Sequence, residues 1–293
     1  MGFLMRSRFL SLLLTGLLLT LFSAYRVQAS GVVGIGTPES CTEPALDIAL
    51  AQTLLTGGTL TFDCGTAPHT IVVTIHKLIT APITIDGGSL ITLSGSGTTT
   101  VFELSENLPL LTLQNLTIAN GRATPIVLPG ACLNGACGGA VRGRYRASLT
   151  VINCIFINNV ADASSLPLVD QVSLNYGGGA IYLHTGVLTV TNSQFIDNVA
   201  TNSAGGAIHL LHSNATISYT LFDGNQADYY GGAFFNDGTI DDGDGITTPG
   251  RLVFINNEFR DNSGRGQGGA VLVGVEGHVP IQHPRGETPA GRR

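Results

Sequence analysis

The 293-residue chain has no tryptophan, two methionines, and only 6% aromatic residues. Charged residues make up 12%, about half the usual share. That composition argues against a helix bundle, which needs a long charged outer face. Basic residues are the scarcer sign, 14 against 20 acids, for a formal net charge of −6. Taking away residues 1–29 removes Arg6, Arg8 and Arg26 and no acid, so the charge becomes −9. Phosphate contact needs a basic face, so nucleic acid is not the expected partner. No Ser–His–Asp set, CxxC pair or phosphate-binding glycine loop can be found. After the N-terminal apolar run, no stretch is long and apolar enough to span a bilayer as a helix.

Glycine is abundant, 39 residues, and it is ordered. The tripeptide GGA recurs at Gly138–Ala140, Gly178–Ala180, Gly205–Ala207, Gly231–Ala233 and Gly268–Ala270. Phe-x-x-Asn falls between consecutive copies, as Phe156/Asn159, Phe195/Asn198, Phe222/Asn225 and Phe259/Asn262. The undecorated unit is 26–27 residues, from Ala180 to Ala207 and from Ala207 to Ala233. A fixed period of this length marks a repeat architecture.

The pattern inside the unit has a period of two, which means strands. After each alanine, positions +1 (Val141, Ile181, Ile208, Phe234, Val271) are expected to point inward with positions +3. Positions +2 (Arg142, Tyr182, His209, Phe235, Leu272) are expected to point outward. A second strand precedes each phenylalanine, with inward pairs Leu149/Val151, Leu188/Val190, Ala215/Ile217 and Leu252/Phe254, and upstream Leu111/Leu113 leading to Ile118. Asn115, Asn153, Asn192, Tyr219 and Asn256 lie three residues before the Phe position, and the asparagines are expected to stack as a ladder. No coil of this kind buries its own apolar face, so coils stack into a rod. The fold expected is all-β: a single-stranded right-handed parallel β-helix with an N-terminal capping helix.

GGA[IV] followed by FxxN resembles the repeat of the chlamydial polymorphic outer membrane proteins, and more widely the secreted bacterial parallel β-helix (pectate-lyase-like) proteins. The resemblance covers 138–270 well and 71–137 loosely. It implies a secreted or surface-exposed protein, several such relatives being adhesins. Those relatives carry a C-terminal autotransporter barrel, for which this sequence shows no pattern.

Four segments follow. Residues 1–29 read as a secretory signal: Arg6 and Arg8, the apolar run Phe9–Ala24, and the small-residue site Val27-Gln28-Ala29. Residues 30–70 form the N-terminal cap. Its helix is expected over Thr42–Leu55, with Ala45, Ile48, Ala49 and Leu55 on the buried face. Residues 71–275 are the β-helix, its early strands expected over Thr70–Ile79, Pro82–Asp86, Ser89–Ser94 and Thr99–Leu104. Insertions Arg122–Ala136 and Ala161–Tyr176 fall between Asn and GGA on consecutive coils, and Asp237–Gly250 falls between two strands. Residues 276–293 are an irregular tail without FxxN.

Five cysteines suit an exported protein. Pairs Cys41/Cys64 and Cys132/Cys137 are expected, with Cys154 packed and unpaired. The outward strip after GGA (Arg142, Arg144, Tyr182, His184, His209, His212) is the candidate surface for a polysaccharide or other cell-surface ligand. The loop residues Asp237, Asp241, Asp242 and Asp244 could supply oxygen ligands to Ca2+, without EF-hand spacing. No cofactor is required and no catalytic residue can be assigned. The chain therefore reads as a binding or structural envelope rod. The alternative is a carbohydrate-active enzyme, which needs carboxylates and a base converging on one face.

Overall fold

The computed structural model describes residues 31–106, 109–123, 132, 136–165, 176–238 and 251–274. The signal segment 1–29 and the tail 276–293 lie outside them.

The described chain is a parallel β-helix with three long walls and one short one. The coil that starts at Ala180 shows the plan. Ile181–His184 lies in the first wall, Val187–Thr191 in the second, Gln194–Ile196 in the third and Val199–Thr201 in the fourth. Seven, eight, seven and five strands stack in these walls, and every strand pairing is parallel. Register follows the repeat: Leu149 sits on Leu188, Phe156 on Phe195 and Ile181 on Ile208.

The +1 residues Val141, Ile181, Ile208 and Phe234, the +3 residues Leu183 and Leu210, and the second-wall pairs from Leu111/Leu113 to Ala215/Ile217 form one continuous core. Phe156, Phe195, Phe222 and Phe259 stack through it, with ring centroids 4.8, 5.0 and 4.8 Å apart and planes within 8°. That spacing equals the strand repeat, so each ring rests on the one before it. Early coils put Ile71, Leu93 and Ile118 in the same row.

The two glycines of GGA have different reasons. The first takes positive φ in every copy, 58° to 68°. The second has no room for a side chain. A Cβ on Gly206 would lie 2.0 Å from the Gly232 carbonyl oxygen, and one on Gly179 2.2 Å from that of Gly206. The alanine that follows is wholly buried at Ala140, Ala180, Ala207 and Ala233.

The asparagine rows differ from expectation. Asn115, Asn153, Asn192, Tyr219 and Asn256 all take φ of 50–53°. They are left-handed corner residues, a conformation asparagine tolerates well. Only Asn153 Nδ2 to Asn115 Oδ1, at 3.2 Å, links two of their side chains. The buried ladder is built instead by the asparagines of FxxN, with Nδ2–Oδ1 distances of 3.0 Å (Asn159–Asn198), 2.9 Å (Asn198–Asn225) and 2.9 Å (Asn225–Asn262).

Helix α1 spans Glu43–Thr56 and closes the N-terminal end, with Thr42 as its N-cap and Gly57 (φ 74°) ending it. Its buried face is Leu46, Ala49, Leu50 and Thr53, not the Ala45/Ile48/Ala49/Leu55 face expected. Ile48 and Leu55 are 65% and 87% exposed. The helix is apolar nearly all round, so periodicity could not choose its inner side. Two features hold it down. Cys41 is disulfide-bonded to Cys64. Lys77, buried in the first wall, reaches Glu43 Oε1 at 2.7 Å and Asp47 Oδ1 at 2.6 Å.

Candidate functional site

The outward strip divides in two. Arg142, Tyr182 and His209 are not at the surface: they are 5%, 0% and 0% exposed. The segment between Asn and GGA, expected to loop outward, first makes a strand. Val160–Asp162 and Val199–Thr201 belong to the fourth wall, and the chain then returns along Cys137, Gly177 and Ala204. This fold-back encloses a second small core of Ala123, Cys132, Ala136, Cys137, Ala161, Ala163, Tyr176, Tyr182 and Leu211. The +2 side chains point away from the main core and into this one.

His209 shows the consequence. Its ring meets Tyr182 at 5.3 Å and Phe235 at 4.9 Å, both edge-on. Nδ1 lies 3.1 Å from the Tyr176 carbonyl oxygen. Burial pushes its pKa down to about 3, so it is a neutral packing residue at pH 7. Burial likewise pushes the Tyr182 hydroxyl pKa up.

Arg142 and Arg144 have a partner the strip did not reveal. Glu103, 1% exposed on the neighbouring coil, is gripped by both. Arg142 Nη2 bonds Oε2, and Arg144 Nε bonds Oε1 at 2.6 Å. His76 Nε2 lies 3.6 Å from Oε2. Burial alone would raise the Glu103 pKa, but the hydrogen bonds and charges of Arg142 and Arg144 outweigh it and hold the carboxyl below its usual range. Residues 77–79 and 99–104 read as strands, yet an outward acid in register with Arg142 was a legible signal.

Arg144, His184 and His212 are partly exposed and sit at the corner between the first and second walls. Beside His184 at this corner lies Tyr145. Its ring lies 5.5 Å from His184, edge-on, and under the Arg146 guanidinium at 5.1 Å. His184 and His212 are 6.0 Å apart. Three consecutive coils thus contribute one row of rings, with the Arg146 guanidinium over the first. Its backbone is left-handed at each coil: Arg146, Thr185 and His212 take φ of 63°, 52° and 49°, where most other corners use Asn, Asp or Gly.

Asp237 ends the strand Phe234–Asp237 and is 7% exposed. Asp241, Asp242 and Asp244 lie outside the described residues. Among those described, no group of three or more His, Cys, Asp or Glu could hold a metal ion. Cys132 and Cys137 form a disulfide at the foot of the first insertion. Cys154 is free and buried, its thiol pushed up to about 11 by burial.

Residues 153–184 and 219–237 match the family model of the Chlamydia polymorphic membrane protein repeat. Each match spans the stretch from a third-wall phenylalanine, Phe156 or Phe222, to the next first-wall strand, Ile181–His184 or Phe234–Asp237. The chain therefore carries, in these two segments, a repeat similar to that of the family. No curated protein and no solved structure matches it significantly. No helix among the described residues is long and apolar enough to cross a membrane.

Proposed function

We propose that the protein is an exported, surface-exposed β-helix rod that works by adhesion or interaction, through the corner between its first and second walls. The observation that carries this reading is the row Tyr145, Arg146, His184 and His212. A flat ring under a guanidinium, with two imidazoles beside it on stacked corners, suits the face and hydroxyl groups of a sugar or an acidic group on one. Its spacing follows the coil repeat, so an extended chain ligand would meet one set of contacts per coil.

The test is binding of the purified protein to a panel of immobilised polysaccharides and to whole cells. Tyr145→Ala and His184→Ala should each lower binding about tenfold while leaving the unfolding transition nearly unchanged, as loss of one stacking contact does. Retained binding in both variants would move the site elsewhere. The enzymatic alternative gains no support from the first wall, where Glu103 is buried between two arginines. Release of reducing ends or unsaturated sugars from the same panel, with or without Ca2+, would establish it.

A further inference from the structure

The outer side of the second wall keeps one row of residues constant. Thr59, Thr84, Thr112, Thr150, Thr189 and Thr216 lie in register on six adjacent parallel strands. Each alternates with core residues and is partly exposed. At the strand repeat the row extends about 24 Å along the rod. The outward rows on either side are mixed: Leu110, Ser148, Val187 and Asn214 on one, Gln114, Ile152 and Thr191 on the other. Strand preference favours threonine here, but it favours valine and isoleucine as well. It does not account for one row held constant while its neighbours change.

Pairing within the row does not account for it either. Threonines on neighbouring strands commonly hydrogen-bond each other. Thr191 Oγ1 and Ser218 Oγ do so one row away, at 3.2 Å. The six hydroxyls of the constant row make no hydrogen bond to any described residue. Each therefore keeps its donor and its acceptor sites for a molecule outside the protein. The face also lacks free charge. Asp86 is its one ionised side chain on the strands from Thr59–Phe62 to Asn214–Ser218. That carboxylate is already occupied, by Gln114 Nε2 at 2.7 Å, Gly88 N at 2.9 Å and Asn115 Nδ2 at 3.0 Å.

We infer that this face holds a neutral, extended polysaccharide laid along the rod axis, an inference that rests on the adhesive reading above and fixes its class of ligand. Each threonine offers one hydroxyl and one methyl, and a sugar ring offers O–H and C–H groups to match. The free hydroxyls recur once per coil, so a chain along the axis meets the same contact again at every rung. The corner row runs parallel to the threonines along one margin. Tyr145, His184 and His212 fall just before the strands Ser148–Ile152, Val187–Thr191 and Asn214–Ser218 that carry Thr150, Thr189 and Thr216. Rings at the margin and hydroxyls across the face form one continuous surface. An acidic chain on the threonines would give up water without gaining a counter-charge.

The probes are neutral β-1,4-linked glucan oligosaccharides, from disaccharide to hexasaccharide, with oligogalacturonate as the acidic comparator. Each is titrated into the protein at low and high salt. For the neutral series, Kd should fall with every added sugar and should not change with salt. Thr150→Val combined with Thr189→Val keeps the branched side chains and the strand preference and removes two hydroxyls. It should weaken the hexasaccharide about tenfold and leave the unfolding transition in place. Tyr145→Ala separates the two readings. Weakened binding in Tyr145→Ala with full binding in the threonine pair would overturn the threonine face and leave the corner standing. Binding of the acidic comparator alone would also overturn it. So would failure of the parent to bind any neutral oligosaccharide, whereas binding to whole cells in that case would keep the adhesive reading.

Discussion

Asn198 Nδ2 and Asn225 Oδ1 lie 2.9 Å apart inside the rod, one coil above the other, with both side chains 0% exposed. Asn198 is fully used: it makes two donations through Nδ2 and accepts twice at Oδ1 from Asn159. Asn198→Leu removes all of these and leaves buried partners unsatisfied, at about 1–3 kcal/mol for each group left bare. The variant should lose about 4 kcal/mol in urea unfolding. Asn192→Ala, at an exposed left-handed corner that tyrosine fills one coil later, should lose only about 1 kcal/mol.

Acid should weaken the protein in a defined order. The unfolded chain protonates His209 as pH falls below about 6.5, while the folded chain keeps it neutral down to about 3. Stability is therefore lost progressively across that window. His209→Phe keeps an aromatic ring between Tyr182 and Phe235 and removes the liability. Thermal unfolding between pH 6.5 and 4 should be flatter in the variant than in the parent.

A second acid step follows from Glu43, whose pKa is held near 2. Burial opposes this, and the hydrogen bonds from Lys77, Thr74 and Ile75 overcome it. Its contribution is present above about 4.5 and is lost as pH falls toward 2. Lys77→Met should shift this step upward and loosen helix α1, seen as faster amide exchange over Glu43–Thr56. An unchanged acid profile would mean the ion pair does not hold the cap.

Reduction of the Cys41–Cys64 disulfide should also act at the cap. The bridge closes a loop of 23 residues, worth about 3 kcal/mol to the folded state. Cys41→Ala with Cys64→Ala should lower the unfolding free energy by about that amount. Light scattering should rise as well, because freed strand edges under the helix invite pairing with other chains.

The sequence made the three long walls legible because GGA, the Leu/Val pairs and Phe-x-x-Asn each carry a period-two pattern with one face buried. It hid the fourth wall, which is two or three residues long, as Val160–Asp162 and Gln226–Ala227. So short a strand has no period to read. The error at Tyr182 and His209 came from this, since their row faces away from the main core as expected and is covered only by that fold-back. The helix face was missed for the opposite reason: Ile48 and Leu55 are as apolar as Leu46 and Leu50. His184, two residues after Tyr182, and His212, three after His209, remain partly exposed because they lie at the corner past the second core.

Gly206→Ala tests how tightly the coils are locked. Backbone strain is not the issue at this residue, whose φ is not in the left-handed region. The obstacle is the coil above: the new methyl carbon would fall 2.0 Å from the Gly232 carbonyl oxygen and 2.6 Å from that of Gln226. Both are backbone atoms engaged in the stack, so neither can yield by a rotamer change. Relief requires the first and fourth walls to separate locally, breaking parallel hydrogen bonds and opening contacts on both cores. The variant should lose more than about 3 kcal/mol, beyond what a methyl group costs in a deformable core. Gly57→Ala is the contrast. It has positive φ and open space around it, so its cost is confined to the helix C-cap at about 1 kcal/mol. Equal losses in the two variants would mean that conformation, and not close approach between coils, is what the repeated glycine pair provides.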